Sequence, residues 1–301
     1  MDIERLFRAM HEQEATDLFL KVGNKPFLRI HGQLYPAGEL PLTREYIDEV
    51  VATLMDSTRR QLLHAERELD VAFERAGVGR FRANVLWQRG TMALVIRRIQ
   101  RQTREFNALH LPAEPLNRFL REQYGLILIT GPTDSGKSTT VASMIESLNH
   151  AGPKHILTLE DPIEFQFEED QAIITQREIG TDTRSFAEGL RSALRQSPDV
   201  LFVSDIRDRE SMESCLLAAE AGQLVLSCLH TTNVMTTIER IIGCFPAAQQ
   251  ERIRLRLSLA LRGIVSLRLL LRQEGGGRIP ACEILVVTPT ARELIREGRT
   301  E

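Results

Sequence analysis

The sequence predicts a two-domain α/β protein, a small unit with a largely antiparallel sheet followed by a larger unit on a parallel sheet. Three observations carry this. The chain has 301 residues, about twice the length of a common domain. Up to residue 104, short alternating strands are separated by turn residues. From residue 116, strand-length apolar runs alternate with helices, a pattern that requires a sheet covered on both faces. Residues 105–115, with Pro112 and Pro115, read as the linker.

Each element has a local reason. Ile3, Leu6, Phe7 and Met10 have helical spacing. Residues 17–22 read as a strand stopped by Gly23-Asn24, and 26–30 as a second one turning at His31-Gly32. Thr43 caps a helix carrying Tyr46, Ile47, Val50, Val51 and Leu54. Residues 71–73, 81–87 and 92–99 alternate as three strands. In the second unit, strands 126–130, 156–159, 200–203 and 224–229 alternate with helices 139–149, 185–195 and 211–221. Gly275-Gly-Gly277 reads as a turn between two short strands.

Composition narrows the class. Lys plus Arg is 38 and Asp plus Glu is 41, a net charge of −3, which argues against a generally basic nucleic-acid binder while leaving a local patch possible. No apolar run has bilayer-spanning length, and residues 1–10 lack an apolar core and cleavage site, so the N-terminus is not read as a signal peptide. Cys215, Cys228, Cys244 and Cys282 are too widely spaced for a zinc or redox pair, so no zinc is expected. Only four of the 38 cations are lysines, and one of them is Lys137.

The strongest signal is Gly131-Pro132-Thr133-Asp134-Ser135-Gly136-Lys137-Ser138, which fits G-x-x-x-x-G-K-[ST] between a strand and a helix. The glycines allow backbone N–H groups to face phosphate oxygens, and the helix starting near Thr139 presents its positive end to the same anion. Lys137 then reaches the β- and γ-phosphates, while Ser138 offers a hydroxyl to Mg²⁺. Asp134 is unusual there: its carboxylate points outward or repels the phosphates.

Three strands end in candidate chemistry. Glu160 and Asp161 end one strand, where a carboxylate can orient or deprotonate water; a solvated acidic loop is the other reading. Asp205 follows four apolar residues and Ser204, the Walker B form in which an acid holds Mg²⁺, partly through water. His230 follows Leu229, placed to sense a γ-phosphate or a neighbouring subunit, or to serve the structure alone. Between Arg75 and Arg104 lie eight arginines and no acid. This stretch is a solvated basic face, a nucleic-acid surface with Trp87 for stacking, or a source of arginine fingers.

Taken in order, these motifs resemble the secretion-type ATPases of the type IV pilus, most of all the retraction, or PilT/PilU, group. The marks are residues 15–20, 79–84, 131–140, 155–165, 175–178, 190–196, 229–231 and 291–297. The resemblance implies a PAS-like N-terminal domain followed by a RecA-like P-loop NTPase domain, in a homo-hexameric ring with ATP at the cleft. It implies ATP and Mg²⁺ as cofactors, Glu160 as general base, Asp205 as Walker B acid and His230 as the His-box residue. Arg82 and Arg97, with Arg80 beside them, match arginines that approach the nucleotide. The implied role is pilus retraction from the cytoplasmic face of the inner membrane, through a PilC-like platform protein and beside a paralogous retraction ATPase. Two rivals accompany it: a weakly active accessory ring subunit, and a DNA-handling motor of the same superfamily.

Three departures stand out. The family has Gly-Glu at Ser204-Asp205 and Gly at Asp134, and relatives continue through further helices after residue 298. The C-terminal helices are therefore expected to be missing or short.

Overall fold

The computed structural model describes residues 2–30, 32–99, 103–273 and 277–299. His31, Arg101, Gly275 and Gly276, each part of an expected turn or of the basic stretch, lie outside the described residues. The chain divides into two compact units, Met1–Arg101 and Gln102–Glu301.

The first unit opens with α1 (Ile3–Glu12), capped by the Asp2 side chain on the Glu4 N–H at 3.0 Å. Strands β1 (Asp17–Lys21), β2 (Phe27–Ile30) and β3 (Gln33–Pro36) follow, then α2 (Arg44–Leu54), α3 (Ser57–Glu66), β4 (Glu68–Arg75), β5 (Gly79–Gln88) and β6 (Thr91–Ile99). The six strands pair antiparallel in the order β3-β2-β1-β6-β5-β4. Thr43 caps α2 as its sequence predicts, accepting from the Tyr46 N–H at 3.2 Å. Strand β5 shows the two-residue alternation well. Phe81, Ala83 and Val85 are fully buried, while Arg80, Arg82 and Asn84 take the opposite face. The helices bury Leu6, Phe7, Met10, Ile47, Val50 and Val51 against that apolar face.

The second unit contains α4 (Ala113–Leu120), β7 (Gly125–Thr130), α5 (Lys137–Ala151), β8 (His155–Glu160), β9 (Ile173–Glu178), α6 (Phe186–Ala193), β10 (Val200–Val203), α7 (Arg209–Glu220), β11 (Leu224–Leu229), α8 (Val234–Gly243), α9 (Ala247–Ala260), β12 (Leu261–Leu271), β13 (Arg278–Val286) and α10 (Pro289–Glu297). The sheet order is β13-β12-β7-β11-β10-β8-β9, parallel except for the β12–β13 pair. The hairpin strands around the expected glycine turn are thus 11 and 9 residues long rather than short.

Every residue of β7 is buried, as a central parallel strand demands. Leu126 and Leu128 pack into the core on one face, with α6, α7 and α9. Ile127 and Ile129 pack into the other, with α4 and α5. Residues 105–115 join this second core: Phe106 and Leu111 are buried in it, and α4 begins at Ala113. The Ser143 hydroxyl donates to the Arg104 carbonyl at 2.6 Å. Phe119 of α4 lies so close over Gly263 that a Cβ there would stand 2.2 Å from its ring.

Candidate nucleotide and catalytic site

Parallel pairing brings the carboxyl ends of β7, β8, β10 and β11 to one edge of the sheet. The connection leaving β7 runs one way across the sheet to β8, and the one leaving its neighbour β11 runs the other way to β12, the switch point where α/β folds form their ligand crevice.

The loop from Gly131 to Gly136 is shaped by its glycines. Gly131 has φ 148°, and a Cβ would sit 2.4 Å from Ser135 Oγ and 2.5 Å from the Leu267 carbonyl, a position only glycine fits. Gly136, with φ 95°, starts α5 without a capping side chain, which leaves the first helical N–H groups facing the loop for an anion. Asp134 is exposed and left-handed, at φ 60°, a conformation Asp tolerates better than most residues. Pro132 and Thr133 are also exposed, and Ser138 and Thr139 are half-buried at the start of α5.

Lys137 is buried and folds back on its own loop, Nζ donating to the Gly131 and Pro132 carbonyls, each at 2.8 Å. Burial pushes its ammonium below the ordinary value, against the opposing influence of Cys228, Asp205, Glu164 and Asp134. The Thr130 and Ser135 hydroxyls beside it are buried without a partner. Buried orphan donors and a lysine on weak carbonyl partners make a cradle suited to phosphate. Next to it a cleft of about 340 Å³ is lined by Ser135, Gly136, Thr139 and Thr140 together with Arg104, Leu269, Arg272 and Pro280. Arg272 Nη2 hydrogen-bonds to His110 Nε2 at its wall.

Glu160 ends β8 and is only 5% exposed. Its Oε1 accepts from Thr158 Oγ1 at 2.7 Å and from Gln176 Nε2 at 3.1 Å. Desolvation raises its pKa to about 7, and its hydrogen bonds with Thr158, Gln176 and the Glu164 backbone oppose that rise. A carboxyl near neutrality can accept a proton from water and release it again.

Asp205 lies two residues past β10, nearly buried. Arg207 Nε donates to its Oδ2 at 2.7 Å, and Arg207 Nη1 reaches Asp161 Oδ2 at 3.1 Å. His230 Nε2, after β11, stands 3.6 Å from the same Asp205 oxygen. Ser204 Oγ accepts the Asp161 N–H at 3.2 Å. The structure thus brings Asp205, His230 and the Asp161 loop together through Arg207 and Ser204. Thr158, Gln176 and Arg207 were not singled out from the sequence. The only signals were Arg207's place two residues after Asp205 and the 175–178 motif around Gln176.

Arg82 and Arg97 belong to the first unit, paired across β5 and β6. Arg97 Nε donates to buried Asp17 at 2.8 Å, although its side chain is 71% exposed. Arg82 Nη2 donates to Asp70 at 2.7 Å. Among the described residues, no group of three or more His, Cys, Asp or Glu side chains could hold a metal alone.

A RecA-like sheet with this loop between β7 and α5 defines a P-loop ATPase. Residues 66–300 match the family model described as type II/IV secretion system protein. The chain is 40% identical to the type IV pilus retraction ATPase PilT of Pseudomonas aeruginosa, over 99% of this chain and 86% of that protein. It is 38% identical to the type IV pilus ATPase PilU of the same organism, over 99% and 78%. Among solved structures it is similar to the pilus retraction motor PilT with bound ADP, with a TM-score of 0.94, 44% identity and coverage of 100% and 87%. The chain belongs to the type II/IV secretion ATPase family and stands with its PilT-like members. It binds nucleotide and is an ATPase.

Proposed function

We propose that this chain is the Mg²⁺-dependent motor subunit of a homo-hexameric ring that drives retraction of a type IV pilus. Among the described residues no helix is long and apolar enough to cross a membrane. In this reading the ring works in the cytoplasm against a platform protein of the inner membrane. The observation that carries the enzymatic part is the buried Glu160 carboxyl, poised near pH 7 at the sheet edge that bears the Lys137 loop. The likeness to the PilT proteins over nearly the whole chain carries the retraction part.

The mechanism follows from the placements. Lys137 exchanges its two loop carbonyls for the β- and γ-phosphates, gaining charge-assisted bonds. The orphan Ser135 hydroxyl and the α5 N–H groups complete the phosphate cradle, and the base and ribose take the adjoining cleft. The hydroxyl of Ser138 and the carboxylate of Asp205 are hard oxygen donors and fit a magnesium ion. When bound, that ion neutralises phosphate charge. Glu160 takes a proton from the water that attacks the γ-phosphorus. The bond to the ADP oxygen breaks, phosphate leaves, and Glu160 returns the proton to solvent. Arg97 and Arg82, oriented by Asp17 and Asp70, meet the developing charge from a neighbouring copy and couple hydrolysis to domain movement.

Steady-state phosphate release at ring-forming concentrations tests this. Turnover by the wild type, lost in Glu160→Gln with ATP still bound, supports it. Turnover retained in Glu160→Gln sinks the base assignment. A second reading, a slow accessory ring subunit, is favoured by the short Asp205 side chain and by Arg207 lying across it. Absent turnover rescued by Asp205→Glu would select that reading. A DNA-handling motor finds less support. Arg75, Arg82 and Arg97 are each already paired with an acid, Glu4, Asp70 and Asp17, and Trp87 packs against His64 and Arg67.

A further inference from the structure

The 175–178 motif in β9 has no role in the mechanism above, yet its side chains converge on the catalytic loop. Strand β9 pairs parallel with β8, setting Gln176 beside Thr158 and Glu178 beside Glu160. Gln176 uses its whole amide. Nε2 donates to Glu160 Oε1 at 3.1 Å and to the Phe165 carbonyl at 2.8 Å, and Oε1 accepts the Phe167 N–H at 3.2 Å. The two backbone partners settle which end is nitrogen. A carbonyl can only accept and a backbone N–H can only donate, so the group facing Glu160 is a donor. Glu178 acts one step further along, its Oε2 accepting the Ile163 N–H at 3.1 Å and its Oε1 the Thr181 hydroxyl at 3.2 Å. Two side chains of one strand therefore hold the loop from Asp161 to Phe167.

We propose that β9 is the positioning element of the general base, with Gln176 and Thr158 together fixing the Glu160 carboxyl so that Oε2 receives the proton from water. This rests on Glu160 being the base. Both side-chain donors converge on Oε1. Protonating that oxygen would cost one of these bonds, whereas protonating Oε2 keeps both. Neither Gln176 nor Thr158 touches nucleotide in this role. The titratable groups beside Glu160 include Glu164, in the loop after β8, Cys228, on β11, and Glu178, its register partner on β9, and all three stay unchanged in the test.

The test compares kcat, KM for ATP and the pH profile of kcat for Thr158→Val, Thr158→Ser, Gln176→Leu and Glu160→Gln, with unfolding midpoints alongside. Thr158→Val is nearly isosteric and removes a hydroxyl whose recorded bond goes to Glu160. Misplacing a reacting group costs up to about a hundredfold. Thr158→Val and Gln176→Leu are therefore expected to lower kcat by roughly tenfold at neutral pH, with KM within about twofold. The acidic limb of kcat should move to higher pH, because each lost donor had favoured the carboxylate. Thr158→Ser should restore the wild-type limb. An unmoved limb with kcat and KM changing together, or an unfolding midpoint that accounts for the loss, overturns the proposal. If Glu160→Gln keeps its turnover, the base assignment fails instead. If it is inactive while Thr158→Val and Gln176→Leu behave as wild type, the positioning role alone fails.

Discussion

The hydroxyl of Ser204 accepts the backbone N–H of Asp161 at 3.2 Å, joining the end of β10 to the loop that follows Glu160. A glycine at this position would have no side chain to make such a bond. One neutral hydrogen bond contributes about 1 kcal/mol net. Ser204→Ala should lower stability by about that amount in denaturant unfolding and reduce kcat severalfold, with ATP affinity kept. An unaltered kcat would show that the tie serves stability alone.

The ionisation of Glu160 leaves a signature in stability. Its folded pKa, about 7, lies above the ordinary 4.5. Between these values the folded state binds more protons than the unfolded one, so this group's contribution falls as pH rises from 4.5 to 7 and is fully lost above. Glu160→Gln should abolish turnover and flatten this part of the pH–stability curve, as urea titrations at several pH values would show. Catalysis runs the opposite way, with wild-type kcat rising through about pH 7 as the base ionises.

Gly131 permits no side chain. With φ 148° and a Cβ landing 2.4 Å from Ser135 Oγ, Gly131→Ala must shift the loop that carries Lys137's two carbonyl partners. Nucleotide affinity should fall on the order of tenfold or more, about 1.4 kcal/mol, in titration with a fluorescent ATP analogue.

Asp134→Gly acts in the opposite direction. It suits the left-handed backbone at φ 60° and removes an exposed negative charge near Lys137. ATP should bind a few-fold more tightly at low salt and less so at high salt, because exposed charges are screened. Equal affinities at both ionic strengths would mean that the charge is without effect.

Asp17 is buried, and two arginines reach it, Arg97 at 2.8 Å and Arg29 at 3.5 Å. Asp17→Asn keeps the shape and removes the charge that orients Arg97. If Arg97 meets nucleotide in the ring, Asp17→Asn and Arg97→Ala should lower kcat to similar extents and be non-additive when combined. Additive losses would separate the two residues.

Much of the second unit was legible because its strands announce themselves. Runs such as Leu126–Ile129 are apolar on both faces, and the loop between β7 and α5 carries a spacing tied to one chemistry. What escaped notice lacked such patterning. Strand β3 is exposed at every position. Helix α3 buries only Leu63, and β9 is a half-buried edge strand of mixed polarity. Strand β12, Leu261–Leu271, is long and apolar enough to pass for a helix until its pairing with β7 is known. Glu160, Asp205 and His230 could be placed at strand ends by spacing. Arg207, Thr158 and Gln176 could not, because their roles depend on which strands become neighbours, and the order β7-β11-β10-β8-β9 is a tertiary outcome.

The close seat of Phe119 over Gly263, with the Ser143 bond to Arg104, has a mechanical meaning. The segment from Arg104 to Phe119 is not a slack tether. It is pinned at Arg104 to the phosphate-loop helix and keyed at Phe119 into the strand beside β7, with Phe106 and Leu111 buried between. A tug on this segment acts on α5 through Ser143, and a shift of α5 pulls on the segment in return. Stiffness here sets how much of a movement is passed on rather than absorbed.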